Sequence, residues 1–286
     1  MQSALIWVVG EALIDFLPGG IPVVGGGPAN TAKATAGLGI PTSFVGGISS
    51  DRYGQLIESE LSKFGVNLDL ANRSNLNTAT AIVSLDESGA ASFHFELENT
   101  ATFDFGDWLP VGNPSLLSIG SLATIVEPGA SHLYKWASSL GTKVVFDPNV
   151  RISVLSKRNV YRSYFEKWAS ISTVVKLSEE DLDFLGITIK DVCDLGANLV
   201  VLTHGESGIS GFRSQERVSV PGFKVAVVDT VGAGDTVSAV IVEGLVRFGD
   251  LMGENLRLVL ERAAKAAAIA CTRAGANPPT LKELER

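Results

Sequence analysis

Asp229-Thr230-Val231-Gly232-Ala233-Gly234-Asp235-Thr236 runs directly into Val237 to Phe248, an apolar stretch with helical periodicity. Small residues at the mouth of a helix leave backbone N–H groups unpaired, and these together with the helix dipole favour an anion. An aspartate at the same place repels one. The combination reads as an anion hole that carries a general base, taking a proton from a hydroxyl that attacks a phosphoryl group. The octet also reads as a plain helix start, because Asp is a good cap and Gly-x-Gly turns commonly precede helices. The chain contains no G-x-x-x-x-G-K-[ST] loop, and neither of its Gly-x-Gly turns continues as a dinucleotide fingerprint.

Upstream of the octet, apolar runs alternate with helical patterns. Ala4 to Val9 reads as a first buried strand. Thr42 to Val45, Leu116 to Ile119, Lys143 to Phe146, Ser172 to Lys176 and Asn198 to Thr203 read as further strands. Between and after them, Asp51 to Phe64, Glu127 to Leu140, Lys157 to Ala169, 179 to 185, 233 to 248 and 253 to 273 read as helices. This alternation predicts a mostly parallel sheet with helices on both faces, a three-layer doubly wound α/β domain spanning 1 to 286. Thr78 to Leu85, the turn Asp86-Glu87-Ser88-Gly89 and Ala91 to Leu97 break the rhythm with period-two alternation and predict a hairpin. Ile14-Asp15-Phe16-Leu17 is expected to join it, giving a small β-sheet lid from about 12 to 18 and 78 to 105. An open lid sheet of this kind suits a homodimer interface as well as a cover.

A second glycine-rich turn, Gly25-Gly26-Gly27-Pro28-Ala29-Asn30, opens a helix running to about Leu38 without an acid in it. Glycines admit a ligand close to the backbone, and Asn30 offers a donor and an acceptor that suit sugar hydroxyls. Pro28 equally suits an ordinary first helical turn. Asp15 stands in an apolar strand, where a carboxylate is out of place unless it is exposed or binds a polyol. Asp147-Pro148-Asn149-Val150-Arg151 follows a buried strand at its carboxyl end, where open α/β sheets place ligands, and Arg151 can neutralise a transferring phosphate. Thr203-His204-Gly205-Glu206-Ser207-Gly208 has the look of a nucleotide-side turn, with His204 expected exposed. Ser178-Glu179-Glu180-Asp181 offers carboxylates that can hold Mg²⁺ through water or simply complement a helix dipole.

The composition is compatible with such chemistry. Lys plus Arg number 23 against 31 Asp plus Glu, a net charge of −8, with no basic cluster, so nucleic acid is not an expected partner. The first apolar run is too short to span a membrane and leads into Glu11 and Asp15, so neither an anchor nor a cleaved leader is expected. Cys193 and Cys271 lack a C-x-x-C spacing, and a reducing cytoplasm is the expected home.

These residues together resemble the ribokinase-like (PfkB) sugar kinases. The two signatures are Gly25-Gly26-Gly27-Pro28-Ala29-Asn30-Thr31-Ala32 and the octet at 229 to 236, in the expected order. The similarity extends through Gly10 to Phe16, Asp147 to Arg151, Thr203 to Gly208 and Cys271-Thr272-Arg273-Ala274-Gly275-Ala276. The resemblance implies a ribokinase-like fold, ATP as phosphate donor, Mg²⁺, and a sugar as acceptor. It makes Asp235 the base and Gly232, Ala233 and Gly234 the anion hole, beside Arg151. It puts the sugar at Asp15, Gly25, Gly26 and Asn30. The nucleotide falls to Ser178, Thr203, Gly205, Gly208, Gly234 and Asn277. It also implies a monovalent-cation site, K⁺ in type, built on Asp229, Val231, Ala270, Arg273 and Gly275. The family's N-x-x-E magnesium motif departs here to Ser178-Glu179-Glu180-Asp181, which shifts metal recruitment towards Asp181 or Glu180. Val237 stands where a Phe often follows the second signature. Within the family, Gly10 to Phe16 and Asp147 to Arg151 look most like bacterial fructokinases. A 2-keto-3-deoxygluconate kinase, a nucleoside kinase and a non-catalytic sugar-binding regulator remain the alternatives. Glu96 and Glu98 on the second lid strand argue for a neutral sugar.

Overall fold

The computed structural model describes residues 5–17, 19–85, 91–213 and 216–286. Ala4 and the expected turn Asp86 to Gly89 lie outside the described residues. The chain opens with β1 (Ile6–Val9), in which Ile6 and Val8 face one hydrophobic cluster and Trp7 and Val9 the other, all at 2% exposure or less. A strand buried on both faces must be central. Next, β2 (Leu13–Leu17) and β3 (Ile21–Gly25) form an antiparallel hairpin, and α1 (Gly27–Gly37) starts immediately after it. There follow β4 (Thr42–Val45), β5 (Gly47–Ser49), α2 (Arg52–Lys63), β6 (Asn72–Ser74), β7 (Thr80–Leu85) and β8 (Ala91–Glu96).

The second part repeats strand and helix. It comprises β9 (Leu116–Gly120), α3 (Gly129–Ser139), β10 (Lys143–Asp147), α4 (Arg158–Ser170) and β11 (Val174–Ser178). Then come α5 (Glu179–Leu185), α6 (Ile189–Asp194), β12 (Leu199–Thr203), β13 (Ile209–Arg213) and β14 (Glu216–Val220). Three helices close the chain, α7 (Ala233–Phe248), α8 (Gly253–Cys271) and the short α9 (Leu281–Leu284).

Eight strands form one sheet in the order β14-β13-β12-β11-β10-β9-β1-β4. From β4 to β12 all pairs are parallel, while β13 and β14 add an antiparallel edge that the sequence reading did not anticipate. One apolar cluster packs α1, α7 and α8 on one face; the other packs α3 and α4 on the opposite face. The three-layer, mostly parallel architecture is as expected.

The lid is a separate sheet in the order β3-β2-β7-β8, with β3 a fourth strand in a stretch to which the sequence reading assigned no element. Beyond Glu96 the chain leaves it, and Phe103 and Phe105 are buried in the main core, so the lid strands end earlier than 105. Asp51 fixes the lid's base. Its carboxylate caps α2 through Tyr53 N and Gly54 N at 2.9 and 2.7 Å, and also takes the Thr78 amide at 2.8 Å.

Candidate active site

Parallel strands all present their carboxyl ends on one edge of the sheet, and the polar residues gather there. Glu11 follows β1, Ser121 follows β9, Asp147 ends β10, Ser178 ends β11 and Thr203 ends β12. Helices α1 and α7 both begin at this edge. Each is preceded by a glycine at positive φ, Gly26 at 102° and Gly232 at 77°, and neither has a side-chain cap. No side chain takes their first-turn N–H groups, although the Ala233 amide already donates to the Thr230 carbonyl at 3.2 Å.

The two helix starts meet through side chains. Asn30 Nδ2 donates to Asp235 Oδ2 at 3.0 Å, in a buried contact between residues 205 apart in the chain. A Cβ on Gly27 would lie 3.1 Å from Asn149 Nδ2 and 3.3 Å from Asp235 Oδ1, so glycine there lets Asn149 and Asp235 converge. Gly27, Thr31, Ser121, Asp147, Asn149 and Asp235 line a narrow cavity of about 10 Å³. Glu11 supports its wall from beneath by accepting the amides of Leu122 and Ala123 at 3.3 and 3.0 Å. Burial raises Glu11 to a pKa of about 7.

Asp235 is 7% exposed, and burial, reinforced by the nearby Asp147 carboxylate, raises its pKa to about 6. The Asn30 hydrogen bond and the charges of Lys176 and Arg151 oppose that rise. A carboxylate poised near 6 is still ionised at neutral pH yet accepts a proton far better than one at the ordinary value of 3.8. Asp15 on the lid is likewise raised by burial to about 6, with Arg151 pulling the other way. Its Oδ2 fills the space above Gly25, 1.9 Å from where a Cβ would stand. Asn30 Oδ1 is buried with no hydrogen-bond partner among the described residues, and it fits a sugar hydroxyl as donor. Arg151 is exposed, close enough to act on both Asp15 and Asp235.

Other expected residues fall into place with differences. Asp181 is buried and both its oxygens are engaged: Oδ1 accepts from Val150 N at 2.8 Å, and Oδ2 from Ser178 N and Oγ at 2.7 and 2.8 Å. Ser178 and Asp181 therefore form a capping box for α5, and Glu179 and Glu180 are both exposed, Glu179 being paired with His204. His204 is partly buried instead of exposed, held by Glu179 at 2.8 Å and Ser210 at 2.9 Å. Gly205 (φ 55°) is open, whereas Gly208 is glycine because a Cβ would lie 2.1 Å from the Val220 carbonyl. Asn277 is exposed, with its amide on the Gly275 carbonyl at 2.8 Å.

The Asp229 carboxylate joins the two segments expected to hold a monovalent cation. It accepts from Val231 N at 3.0 Å and from Gly275 N at 2.8 Å. Nearby, Arg273 N donates to the Ala270 carbonyl at 3.1 Å, and the Asp229 amide to the Cys271 carbonyl at 3.3 Å. Lys33, which the sequence reading did not single out, runs through the interior from α1 to the Ala276 carbonyl at 3.1 Å. It ties the start of the chain to this C-terminal loop. On the lid, Asp15 pairs with Val23 and Ala81, and Ala81 with Phe95, so these share a face. Glu96 lies on the other face, where Thr80 donates to it at 3.2 Å, and it does not report on the sugar.

Comparison with known proteins agrees with this fold. Residues 23–283 match the pfkB family carbohydrate kinase profile. A fructokinase of Rhizobium leguminosarum bv. trifolii is 34% identical over 263 residues, covering 84% of this chain and 79% of the relative. The crystal structure of a fructokinase with bound ATP from Xylella fastidiosa superposes with a TM-score of 0.87 at 28% identity, covering 98% of this chain and 96% of that one. A fructokinase from Vibrio cholerae O395, in a fructose, ADP and calcium ion bound form, gives 0.85 at 28%, covering 99% and 96%. Two glycine-led helix starts facing one buried acid, and this match across nearly the whole chain, place the protein in the pfkB family of carbohydrate kinases, phosphotransferases that act on a sugar hydroxyl.

Proposed function

We propose that the chain is an ATP-dependent fructokinase, converting ATP and D-fructose to fructose 6-phosphate and ADP. The observation that carries the reading is the Asn30 to Asp235 contact, which joins a sugar-binding end to an anion-binding helix start through a buried base. The acceptor hydroxyl gives its proton to Asp235 and attacks the γ-phosphorus in line. Backbone N–H groups of Gly232, Ala233 and Gly234 and the Arg151 guanidinium take up charge on the transferred group. Positioning accounts for much of the acceleration, with Asp15, Gly25, Gly26 and Asn30 holding the sugar.

Among the described residues there is no cluster of three or more ligating side chains, so the residues fit a Mg²⁺ that is carried largely by the nucleotide phosphates. Glu180 is the carboxylate free to hold it through water, and Asp181 supports from the capping box. When bound, the ion neutralises phosphate charge. Thr203, Gly205 and Asn277 lie on the nucleotide side, with Ser178 and Gly208 shaping the turns beneath. The loops joined by Asp229 suit K⁺, with Val231, Ala270, Arg273 and Gly275 offering main-chain oxygens.

Asp15 on the sugar-facing side of the lid, flanked by Val23, Ala81 and Phe95, favours a neutral polyol over an acid. Leu17 and Ile21 are 42% and 60% exposed on that same face and support pairing of two lids in a homodimer. Two free cysteines fit a reducing cytoplasm, and no described helix is long and apolar enough to cross a membrane. A panel of fructose, 2-keto-3-deoxygluconate and nucleosides, each with ATP and Mg²⁺, tests the acceptor. Fructose should give the highest kcat/KM, with phosphate on O6 by NMR. Preference for another acceptor, or binding of sugar without turnover, would overturn the reading.

A further inference from the structure

Lys176 has no role in the chemistry above, yet its placement is costly. It is 4% exposed, on β11, and its Nζ lies 3.0 and 3.2 Å from the two oxygens of Asp147, itself 9% exposed. Ser238, one turn along α7 from Asp235, donates to Asp147 Oδ2 at 2.9 Å and completes the cradle. Burial alone would drive the proton off this amine, but Asp147 and then Asp181 outweigh burial and hold its pKa above the ordinary lysine value. The ammonium stays charged. It does so beneath the N-terminus of α7, the end of a helix where a cation is unfavourable.

The space it occupies is informative. A Cβ on Gly234 would lie 2.9 Å from Lys176 Nζ. Glycine at 234 therefore does more than loosen a turn: it opens the floor of the anion hole to a positive charge. Purely structural needs do not call for this. A buried ion pair is commonly no more stable than apolar residues of similar volume, so a Lys and Asp kept solely for packing can be exchanged together.

We propose that Lys176 is the fixed cation of the anion-binding turn, held by Asp147 and Ser238 so that its ammonium faces the transferred phosphoryl group past Gly234. The proposal rests on the kinase reading. In the step itself, the sugar oxygen to γ-phosphorus bond forms as the bond to the β,γ-bridging oxygen breaks. ADP leaves with that electron pair, and the hydroxyl proton goes to Asp235. Lys176 exchanges no proton; it offsets charge that grows on the phosphoryl oxygens. An ammonium placed here also compensates for a metal motif in which Asp181 is already committed to Ser178 and Val150.

The test uses the double variant Lys176→Met with Asp147→Asn, which removes both charges and leaves no unpaired ion, beside the single Lys176→Met. Calorimetry compares affinity for ADP with that for a non-hydrolysable ATP analogue, and steady-state kinetics follow fructose phosphorylation. The wild type should prefer the ATP analogue. A double variant that melts within a few degrees of the wild type should lose about ten- to hundredfold of that preference. Its kcat should fall roughly 10²-fold, with KM for fructose within about threefold. Wild-type preference and kcat in the folded double variant would overturn the role of Lys176 and leave the kinase reading intact. A wild type that phosphorylates no acceptor with ATP would overturn the kinase reading, whereas one that turns over but does not distinguish the ATP analogue from ADP would overturn the role of Lys176 alone. If the double variant does not fold, Lys176→Gln supplies the arm: it removes the charge and keeps a polar group for Asp147, and a folded glutamine variant with unchanged kcat and nucleotide preference would likewise overturn the proposal.

Discussion

The starts of α1 and α7 are built alike and do different work. Both follow a glycine at positive φ, both lack a side-chain cap, and both point into the cleft at the carboxyl edge of the sheet. Those two glycines pack alike, since a Cβ at Gly232 would lie 2.8 Å from Ala276 Cβ; the difference lies in Gly234, the second residue of α7, where α1 has Pro28. A Cβ at Gly26 would stand 2.6 Å from the backbone carbonyl of Glu11, so glycine there closes the fold. A Cβ at Gly234 would meet the tip of Lys176, so glycine there admits a charge. Similar local sequence thus packs against backbone at one helix and leaves room for a buried ammonium at the other.

Substitutions should separate the two. The largest effect falls on the acid that only α7 carries: Asp235→Asn should lower kcat by about 10²- to 10⁴-fold with melting temperature nearly unchanged. Gly234→Ala comes next. It should displace Lys176 and cost roughly tenfold or more in kcat, while the flexible lysine end lets the fold tolerate the added methyl group. Gly26→Ala should do the reverse, costing about 1–3 kcal/mol in stability from positive φ and a rigid backbone clash, seen in chemical denaturation. An equal loss of stability at both glycines would dissolve the contrast.

Asn30 belongs to both ends. Asn30→Ala removes a bond that holds the Asp235 pKa down, so the acid limb of its rate profile should move above pH 6, and KM for fructose should rise several-fold. The smallest effect is expected at Glu11, which shapes the cavity wall from outside. Its folded pKa of about 7 lies above the ordinary value of 4.5, so the folded state binds the extra proton between them. Stability is then highest below about 4.5 and falls as pH rises through 7. Glu11→Gln should flatten that fall in melting temperature, and an unchanged slope would show that Glu11 does not titrate as described.

Much of the site was legible before the structure because its signals are local. Glycines beside a helix start, an acid in the first turn, and strands that end in polar residues all lie within short windows of sequence. The parallel core followed from alternation, and Asp15 stood out as a charge in an apolar strand. The remainder depended on contacts made across the fold. Nothing near Lys176 or Lys33 in the chain reveals that one reaches Asp147 and the other the Ala276 carbonyl. The commitment of Asp181 to Val150 is equally non-local, which is why a metal role looked open to it. β3 was missed because Ile21 and Pro22 are exposed and give no buried alternation, and β13 and β14 because an edge hairpin carries weak patterning. Lys176 did leave one trace, a charge inside an otherwise apolar strand, the same signal that marked Asp15.

The central claim is that Asp235, poised between a sugar end and a phosphate end, is the base. Its most direct test is the pH dependence of kcat/KM for fructose phosphorylation in the wild type and in Asp235→Asn. The wild-type value should fall more steeply than tenfold per pH unit below pH 6, where the Asp235 and Asp15 carboxylates are both protonated, and the residual rate of the variant should keep only the shallower limb of Asp15. A variant that keeps the wild-type rate, or keeps the same steep limb, would contradict the account.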